Sequence, residues 1–347
     1  MRYSLIVPVY NRPDEVDELL ESLCSQTEKD FEVVIVEDGS QRDCRAIVEK
    51  YADRLDVQYF TKPNSGPGQS RNYGAERARG DYFIVLDSDV VLPRAYIEEV
   101  SRELDREPAD AFGGPDRAHE SFTPVQKAIS YSMTSFFTTG GIRGGKKKLD
   151  KFFPRSFNMG IRRDVYERLG GFSKMRFGED IDFSYRIVEA GCSTRLFPEA
   201  WVWHKRRTDF RKFFRQVYNS GIARINLMKL HPGTLKLVHL LPMVFTVGVI
   251  ALLLCSAVGR ALMHYDPTHF HRWYLMAALP WIPILFYSLV IFIDSTCKNR
   301  SLRVGLLSVP AAFTQLMGYG FGFLEAWWKR CVRGQDMFTA FEKNFYQ

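Results

Sequence analysis

The sequence predicts an α/β protein, in which a doubly wound, mostly parallel sheet domain is followed by C-terminal membrane helices. Three observations predict it. Over residues 3–86, short β-branched runs alternate with amphipathic stretches, the rhythm of parallel strands joined by crossover helices. Polar residues gather directly after three of those runs, at the strand ends where open sheets of this class hold ligands. Beyond residue 236, long stretches lose nearly all charge, as a bilayer span requires.

Tyr3–Val9 reads as the first strand, and Pro13–Ser25 as a helix with proline in its favoured first turn. Phe31–Val36 reads as a strand, Cys44–Tyr51 as a helix and Val57–Phe60 as a third strand. Gly68–Ala78 follows as a helix and Tyr82–Leu86 as a buried strand. The polar groups at strand ends are Tyr10-Asn11, Asp38-Gly39-Ser40 and Asp87-Ser88-Asp89. Between Ala111 and Pro154 the pattern blurs. Val125–Phe137 reads there as a helix, and the glycines and lysines of 140–148 as a mobile basic loop. Ser156–Ile161 then reads as a strand and Ile181–Ala190 as a helix.

Charge is divided along the chain. The whole carries a formal +7, yet residues 1–204 hold 29 Lys and Arg against 34 Asp and Glu, and residues 205–347 hold 18 against 6. The basic excess therefore lies beside the apolar stretches. That suits attraction to anionic lipid, and no nucleic-acid partner is expected. Residues 1–204 are expected to form the α/β domain, 205–236 a basic amphipathic connector, and 237–347 a membrane region with a short basic tail. Leu237–Val258 and Trp273–Ile293 are each about long enough to span a bilayer. Residues 304–328 contain Pro310, Gln315, Glu325 and four glycines and end in a Trp327-Trp328-Lys329-Arg330 anchor. They either span or lie in the interface plane. Two spans with an in-plane third segment leave Lys329, Arg330 and Arg333 on the cytoplasmic side, where basic residues are favoured.

The six cysteines are scattered, which fits reduced thiols and yields no zinc pattern. Met1-Arg2-Tyr3-Ser4 runs directly into the first strand, with no signal-peptide pattern. The expectation is a multi-pass protein of the inner (plasma) membrane with its α/β domain in the cytoplasm.

Asp87 and Asp89, one residue apart at a strand exit, can share a divalent cation and the diphosphate it binds, or can be an ordinary solvated pair. Asp38 can accept from a nucleotide base or ribose, with Gly39 allowing close backbone approach, or can make an Asx turn. The Asn64–Gly68 loop opens a helix bearing Gln69, Ser70, Arg71 and Asn72, and a helix start beside an arginine suits an anion. Gly178 precedes Glu179, Asp180 and Asp182 in the first turn of another helix. These carboxylates either complement the helix dipole or include a general base, Asp180, with Glu179 and Asp182 shaping its setting.

Together these pieces resemble the family-2 glycosyltransferases of the GT-A fold, from Leu5 to about Arg224. The resemblance rests on Val7-Pro8-Val9-Tyr10-Asn11, Glu37-Asp38-Gly39-Ser40, Gly68-Gln69-Ser70-Arg71-Asn72 and Asp87-Ser88-Asp89. It continues through Asn158-Met159-Gly160-Ile161-Arg162, Gly170-Gly171-Phe172 and Gly178-Glu179-Asp180-Ile181-Asp182-Phe183. It implies that Pro8, Tyr10 and Asp38 hold the nucleoside, with Arg71 near the donor phosphates. Asp87 would touch ribose or metal, Asp89 would be the main ligand of Mg²⁺ or Mn²⁺, and His204 a further ligand. Ala111–Asp116 and Ser156–Gly160, Asn158 among them, would line the donor pocket, while Glu179 and Asp182 would border Asp180, the base.

The implied reaction is one inverting transfer of a sugar from a nucleotide-diphospho-sugar, UDP-linked by preference, to a lipid-linked or membrane-proximal glycan acceptor. Processive relatives such as cellulose and chitin synthases carry Gln-x-x-Arg-Trp after the base. Here Arg215-Gln216 is followed by Val217-Tyr218-Asn219, so single-sugar addition is expected. The alternatives are a polyprenyl-phosphate sugar synthase and a non-catalytic membrane scaffold of a polysaccharide assembly complex.

Overall fold

The computed structural model of the chain describes residues 1–117, 122–139, 152–175, 177–205 and 207–335. Among these, 1–117, 152–175 and 177–205 form one compact unit, and 122–139 with 207–335 form a second.

The first unit begins β1 (Tyr3–Val9), α1 (Pro13–Cys24), β2 (Phe31–Asp38), α2 (Arg45–Glu49), β3 (Val57–Lys62), α3 (Pro67–Ala75) and β4 (Tyr82–Leu86). It continues through β5 (Val90–Val91), α4 (Tyr96–Arg106), β6 (Ala111–Gly113) and β7 (Asp116–Arg117). Next in sequence come α5 (Pro124–Thr134) and α6 (Phe136–Thr139), which belong to the second unit. The first unit resumes with β8 (Asn158–Arg162), α7 (Arg163–Leu169), α8 (Glu179–Glu189), β9 (Thr194–Leu196) and β10 (Val202–His204).

Seven strands form one sheet in the order β3-β2-β1-β4-β8-β6-β9, and β5-β10-β7 form a small second sheet. β3, β2, β1 and β4 are mutually parallel, so their carboxyl ends share one edge. β8 runs antiparallel to both β4 and β6, which makes the sheet mixed beyond β4. Alternation sorts the apolar side chains. Leu5, Val7 and Ile35 pack with Val16, Leu19, Leu20 and Leu23 of α1, whereas Ile6, Val34 and Val36 pack on the opposite face with Phe83, Phe172 and Phe183. Gly74 lets α3 lie close on that second face, since a Cβ there would stand 2.7 Å from Ile6 Cγ2.

β1 and β4 occupy the expected residues, and β2 runs two residues further, which makes Asp38 the last residue of a strand. Two helices were not anticipated, α4 and α7, although Tyr96, Ile97, Val100 and Leu104 of α4 recur at helical spacing and are buried. The helix expected over Val125–Phe137 is two helices, because Ser135 between them is extended (ψ 142°). The basic loop expected over 140–148 lies outside the described residues.

The second unit is helical: α9 (Phe210–Leu230), α10 (Leu241–Tyr265), α11 (Phe270–Ala278), α12 (Trp281–Asn299) and α13 (Leu302–Trp327), with α5 and α6. The stretch expected as a connector is largely the 21-residue helix α9, N-capped by Asp209, which accepts from the Lys212 amide at 2.7 Å. Three helical segments, Leu237–Tyr265, Pro267–Asn299 and Leu302–Val332, are long and apolar enough to cross a membrane. In α13, glycines admit neighbouring backbones on more than one side. A Cβ at Gly322 would lie 2.0 Å from the Tyr218 carbonyl of α9, and one at Gly320 would lie 2.7 Å from the Pro242 carbonyl of α10. α5 is tied to α12 by Tyr131, whose hydroxyl donates to Asp294 at 2.6 Å.

Candidate active site

The shared carboxyl edge of β1, β2 and β4 assembles the site. Pro8, opposite Val36, and Tyr10 mark the end of β1. Asn11 follows in the left-handed region (φ 54°), where asparagine is tolerated because its side chain bonds locally. Its Oδ1 accepts from the amides of Gln41 and Arg42 at 2.8 and 3.0 Å, and its own amide donates to Ser40 Oγ at 2.7 Å. The loop after β2 is thereby fastened to β1. Glu37, buried beneath it, accepts from the Cys44 amide at 3.0 Å and from Tyr59 at 3.3 Å. Burial and the bond to Glu37 push the Cys44 thiol well above its ordinary range, so this cysteine is inert.

Asp38 is buried and engaged by the chain itself. It accepts from Lys62 Nζ at 2.5 Å and from the amides of Ser65 and Gly66 at 2.9 Å each, which closes the loop that opens α3. Arg71, on α3, is likewise committed. One Nη donates to Glu179 at 2.9 Å, the other to Asp87 at 2.8 Å, and the guanidinium lies 5.2 Å from the Phe172 ring centroid. It clamps two carboxylates from different elements.

Asp87 and Asp89 follow β4. Pairing of β10 with β5 sets His204 opposite Val90, which brings the imidazole to Asp89. His204 Nε2 lies 3.1 Å from Asp89 Oδ1 and 3.9 Å from Asp87 Oδ2, and the ring stacks on Phe157 at 5.1 Å. The ligand atoms of Asp87, Asp89 and His204 all lie within 4.8 Å of one another. Two carboxylates and an imidazole are a donor set for a small divalent cation such as Mn²⁺ or Mg²⁺, and the three sit close enough to share one ion, so these residues fit the expected metal. Asn158 steers this geometry from below. Its Oδ1 accepts from Tyr96 at 2.5 Å and its Nδ2 donates to the Ala200 carbonyl at 2.8 Å, two residues before β10.

Asp180 stands in the first turn of α8, after Gly178 in the left-handed conformation (φ 86°). Arg155 Nε donates to Asp180 Oδ2 at 2.7 Å. Burial works to raise this carboxyl, but Arg155, and Arg71 beyond it, hold it below the usual carboxylate range. Its neighbour goes the other way. Burial pushes Glu179 up against the opposing pull of Arg71, with Asp180 adding to the rise. Adjacent carboxylates driven apart in this way can take different roles. Asp182 is held elsewhere, by Arg186 at 3.0 Å, and Arg186 also binds the carbonyls of Leu169 and Gly171.

The structure thus brings Asp87, Asp89 and His204 together, links Glu179 to them through Arg71, and places Asp38, Asn158 and Asp182 in supporting bonds. Sequence reasoning missed Arg12, whose Nη1 donates to Asp89 at 2.6 Å, and Arg155, while Phe157, which stacks on His204, lies in the expected 156–160 lining. No spacing rule marks such partners, because folding alone makes them neighbours.

Residues 4–170 match the glycosyl transferase family 2 model. They are a family 2 glycosyltransferase domain. The chain is 31% identical over 193 residues to an uncharacterized glycosyltransferase of Haemophilus influenzae, which covers 54% of this chain and 62% of that one. It is 24% identical over 251 residues to glycosyltransferase AglE of Haloferax volcanii, which covers 71% of this chain and 80% of that one. Its fold is similar to that of mannosyltransferase PcManGT from Pyrobaculum calidifontis, solved with GDP-Man and Mn²⁺, with TM-score 0.57, 14% identity and coverage of 95% and 88%. At that identity the likeness bears on the GT-A fold alone. The chain spans less than two thirds of the Haemophilus protein's length and 13% to 16% of three rickettsial relatives.

Proposed function

We propose that this protein is an inverting glycosyltransferase that moves one sugar from a nucleotide-diphospho-sugar, UDP-linked by preference, to a lipid-linked or membrane-proximal acceptor. The observation that carries the reading is the convergence of Asp87, Asp89 and His204 at the carboxyl edge of a family 2 domain. Those three side chains would hold Mg²⁺ or Mn²⁺, which when bound supplies positive charge opposite the donor diphosphate. Arg71 orients Asp87 and Glu179, and Asn158 fixes the approach to His204. Pro8, Tyr10 and Asp38 border the nucleoside.

Asp180 is the base. It takes the proton of the acceptor hydroxyl as that oxygen attacks the anomeric carbon, and the carbon–oxygen bond to the diphosphate breaks with its electron pair leaving on the diphosphate. Attack opposite the leaving group inverts the centre. The ion pair with Arg155 keeps the carboxylate ionised at neutral pH, and Arg155 must give way for the acceptor to reach it.

Residues 1–204 serve as the transferase apart from α5 and α6, which group with α9 of the 205–236 connector and the 237–347 membrane region in the helical unit. The three apolar segments support membrane association, and we assign the protein to the inner membrane with its transferase domain in the cytoplasm. The test is nucleotide release and label transfer from radiolabelled UDP-sugars in membranes carrying the protein. Asp89→Ala is expected to abolish metal-dependent transfer without unfolding the domain. Near-normal turnover of this variant with Mn²⁺ or Mg²⁺ overturns the assignment. A labelled product that is a sugar on a polyprenyl phosphate identifies a carrier-charging enzyme that uses the same site.

A further inference from the structure

Two carboxylates that wait for a cation need compensation while the cation is away, since a buried unpaired charge is costly. The two are compensated differently. Asp87 is held by Arg71, whose side chain is 3% exposed and is also bound to Glu179 beneath Phe172. That arginine is built in. Asp89 has one oxygen on His204 at 3.1 Å and the other on Arg12 Nη1 at 2.6 Å. Arg12 is not built in. It lies just before α1, outside the helix, its side chain is 30% exposed, and its other carboxylate neighbour is Glu15 at 3.9 Å. The guanidinium thus neutralises Asp89 through Oδ2, beside the Oδ1 that faces His204, on a side chain with room to leave.

We propose that Arg12 is the exchangeable counter-ion of the metal site. It neutralises Asp89 in the unloaded protein. It leaves when a divalent cation arrives, and takes up a diphosphate oxygen of the donor instead. This rests on the metal-dependent transferase reading above. Two consequences follow from the exchange. A cation arriving alone meets the like charge of a guanidinium on the same carboxylate and displaces it with no anion to receive it, so it binds weakly. A cation arriving with a nucleoside diphosphate gives Arg12 a new anion, so metal and donor load together, each raising the other's affinity by the same factor. Release of the diphosphate product then returns Arg12 to Asp89 and favours loss of the metal as well.

The experiment measures Mn²⁺ binding to the detergent-solubilised full chain, from the electron paramagnetic resonance signal of free Mn²⁺, with and without saturating UDP or GDP. Charge-assisted bonds of this kind predict that Arg12→Gln binds Mn²⁺ alone about tenfold more tightly than wild type. The enhancement by nucleotide should shrink by a similar factor, the remainder being direct coordination by phosphate. Equal or weaker binding of Mn²⁺ alone by Arg12→Gln overturns the proposal. If thermal melting shows that Arg12→Gln is unfolded, Arg12→Lys replaces it. Its shorter, unforked cation should hold Asp89 less well and tighten Mn²⁺ binding, and a wild-type affinity there also overturns the proposal. Wild-type protein that takes up no Mn²⁺ even with nucleotide refutes the metal reading instead, a separate result.

Discussion

In the sheet unit Phe83, Phe112, Phe172 and Phe183 are buried, whereas in the helical unit Leu285 and Phe286 are 62% and 67% exposed. The helical unit fully buries small polar side chains, Thr246, Ser256, Ser295 and Ser308, beside apolar ones such as Phe213, Ile225 and Ile291. Ser295 and Ser308 share a hydrogen bond of 2.6 Å, Trp281 donates to Ser256 at 3.0 Å, and glycines of α13 abut neighbouring carbonyls. The difference accords with three helical segments that are long and apolar enough to cross a membrane. In water, hiding phenyl rings is the main driving force. In lipid a leucine gains little from burial, so close backbone contact and interhelical hydrogen bonds hold helices together.

Charge divides the two units in the same way. The sheet unit concentrates ion pairs at one edge, where function is expected, and Arg155 of the Asp180 pair is 39% exposed, so water can solvate it when that carboxylate is changed. Asp180→Asn should therefore give the largest effect on activity and a small one on stability. The amide keeps the size and much of the hydrogen bonding but cannot take the proton, and transfer should fall by about a hundredfold to ten-thousandfold. UDP and Mn²⁺ should still bind. Lost donor binding with near-normal turnover at saturating donor would move Asp180 to the donor site and leave Glu179 as the next candidate base.

The next contrast sets a large buried ring against a missing side chain. Phe183→Ala should cost the sheet unit about 3–5 kcal/mol, because it empties a packed site in water. In the helical unit the damage should come from adding an atom. Gly322→Ala places a methyl 2.0 Å from the Tyr218 carbonyl and should cost about 1–3 kcal/mol as α9 and α13 are forced apart. Thermal melts in detergent, followed by domain-specific proteolysis, would separate the two. A Gly322→Ala protein with unchanged melting would mean the α9–α13 contact is not what holds the helices.

Smallest of all should be Leu285→Ala. In a soluble core such a truncation costs about 2–5 kcal/mol, but a side chain as exposed as Leu285 should change stability by no more than about 0.5 kcal/mol. A large loss in micelles would place Leu285 against a partner and would blunt the comparison between the two solvents.

Much of the fold was legible because strand periodicity is local. Tyr3–Val9 and Tyr82–Leu86 announce themselves by composition, and Asp87, Asp89 and Asp180 by their place at the ends of elements. The helix α9 was less legible, since its lysines, arginines and aromatics read as a connector, and only the Asp209 cap and the buried Val217, Ile222 and Ile225 mark it as a packed helix. α4 carried its signal openly, in Tyr96, Ile97, Val100 and Leu104.

By itself the sequence determined which residues form the central strands, which carboxylates end them, and which stretches suit lipid, because each depends on neighbours along the chain. Tertiary structure alone decided the partners. Arg12 meets Asp89 across 77 positions, Arg71 meets Glu179 across 108, and Arg155 meets Asp180 across 25. It also decided that Asp38 and Asn158 spend their hydrogen bonds on the chain itself. An ion pair depends on where two side chains come to rest in three dimensions, and no local spacing encodes that.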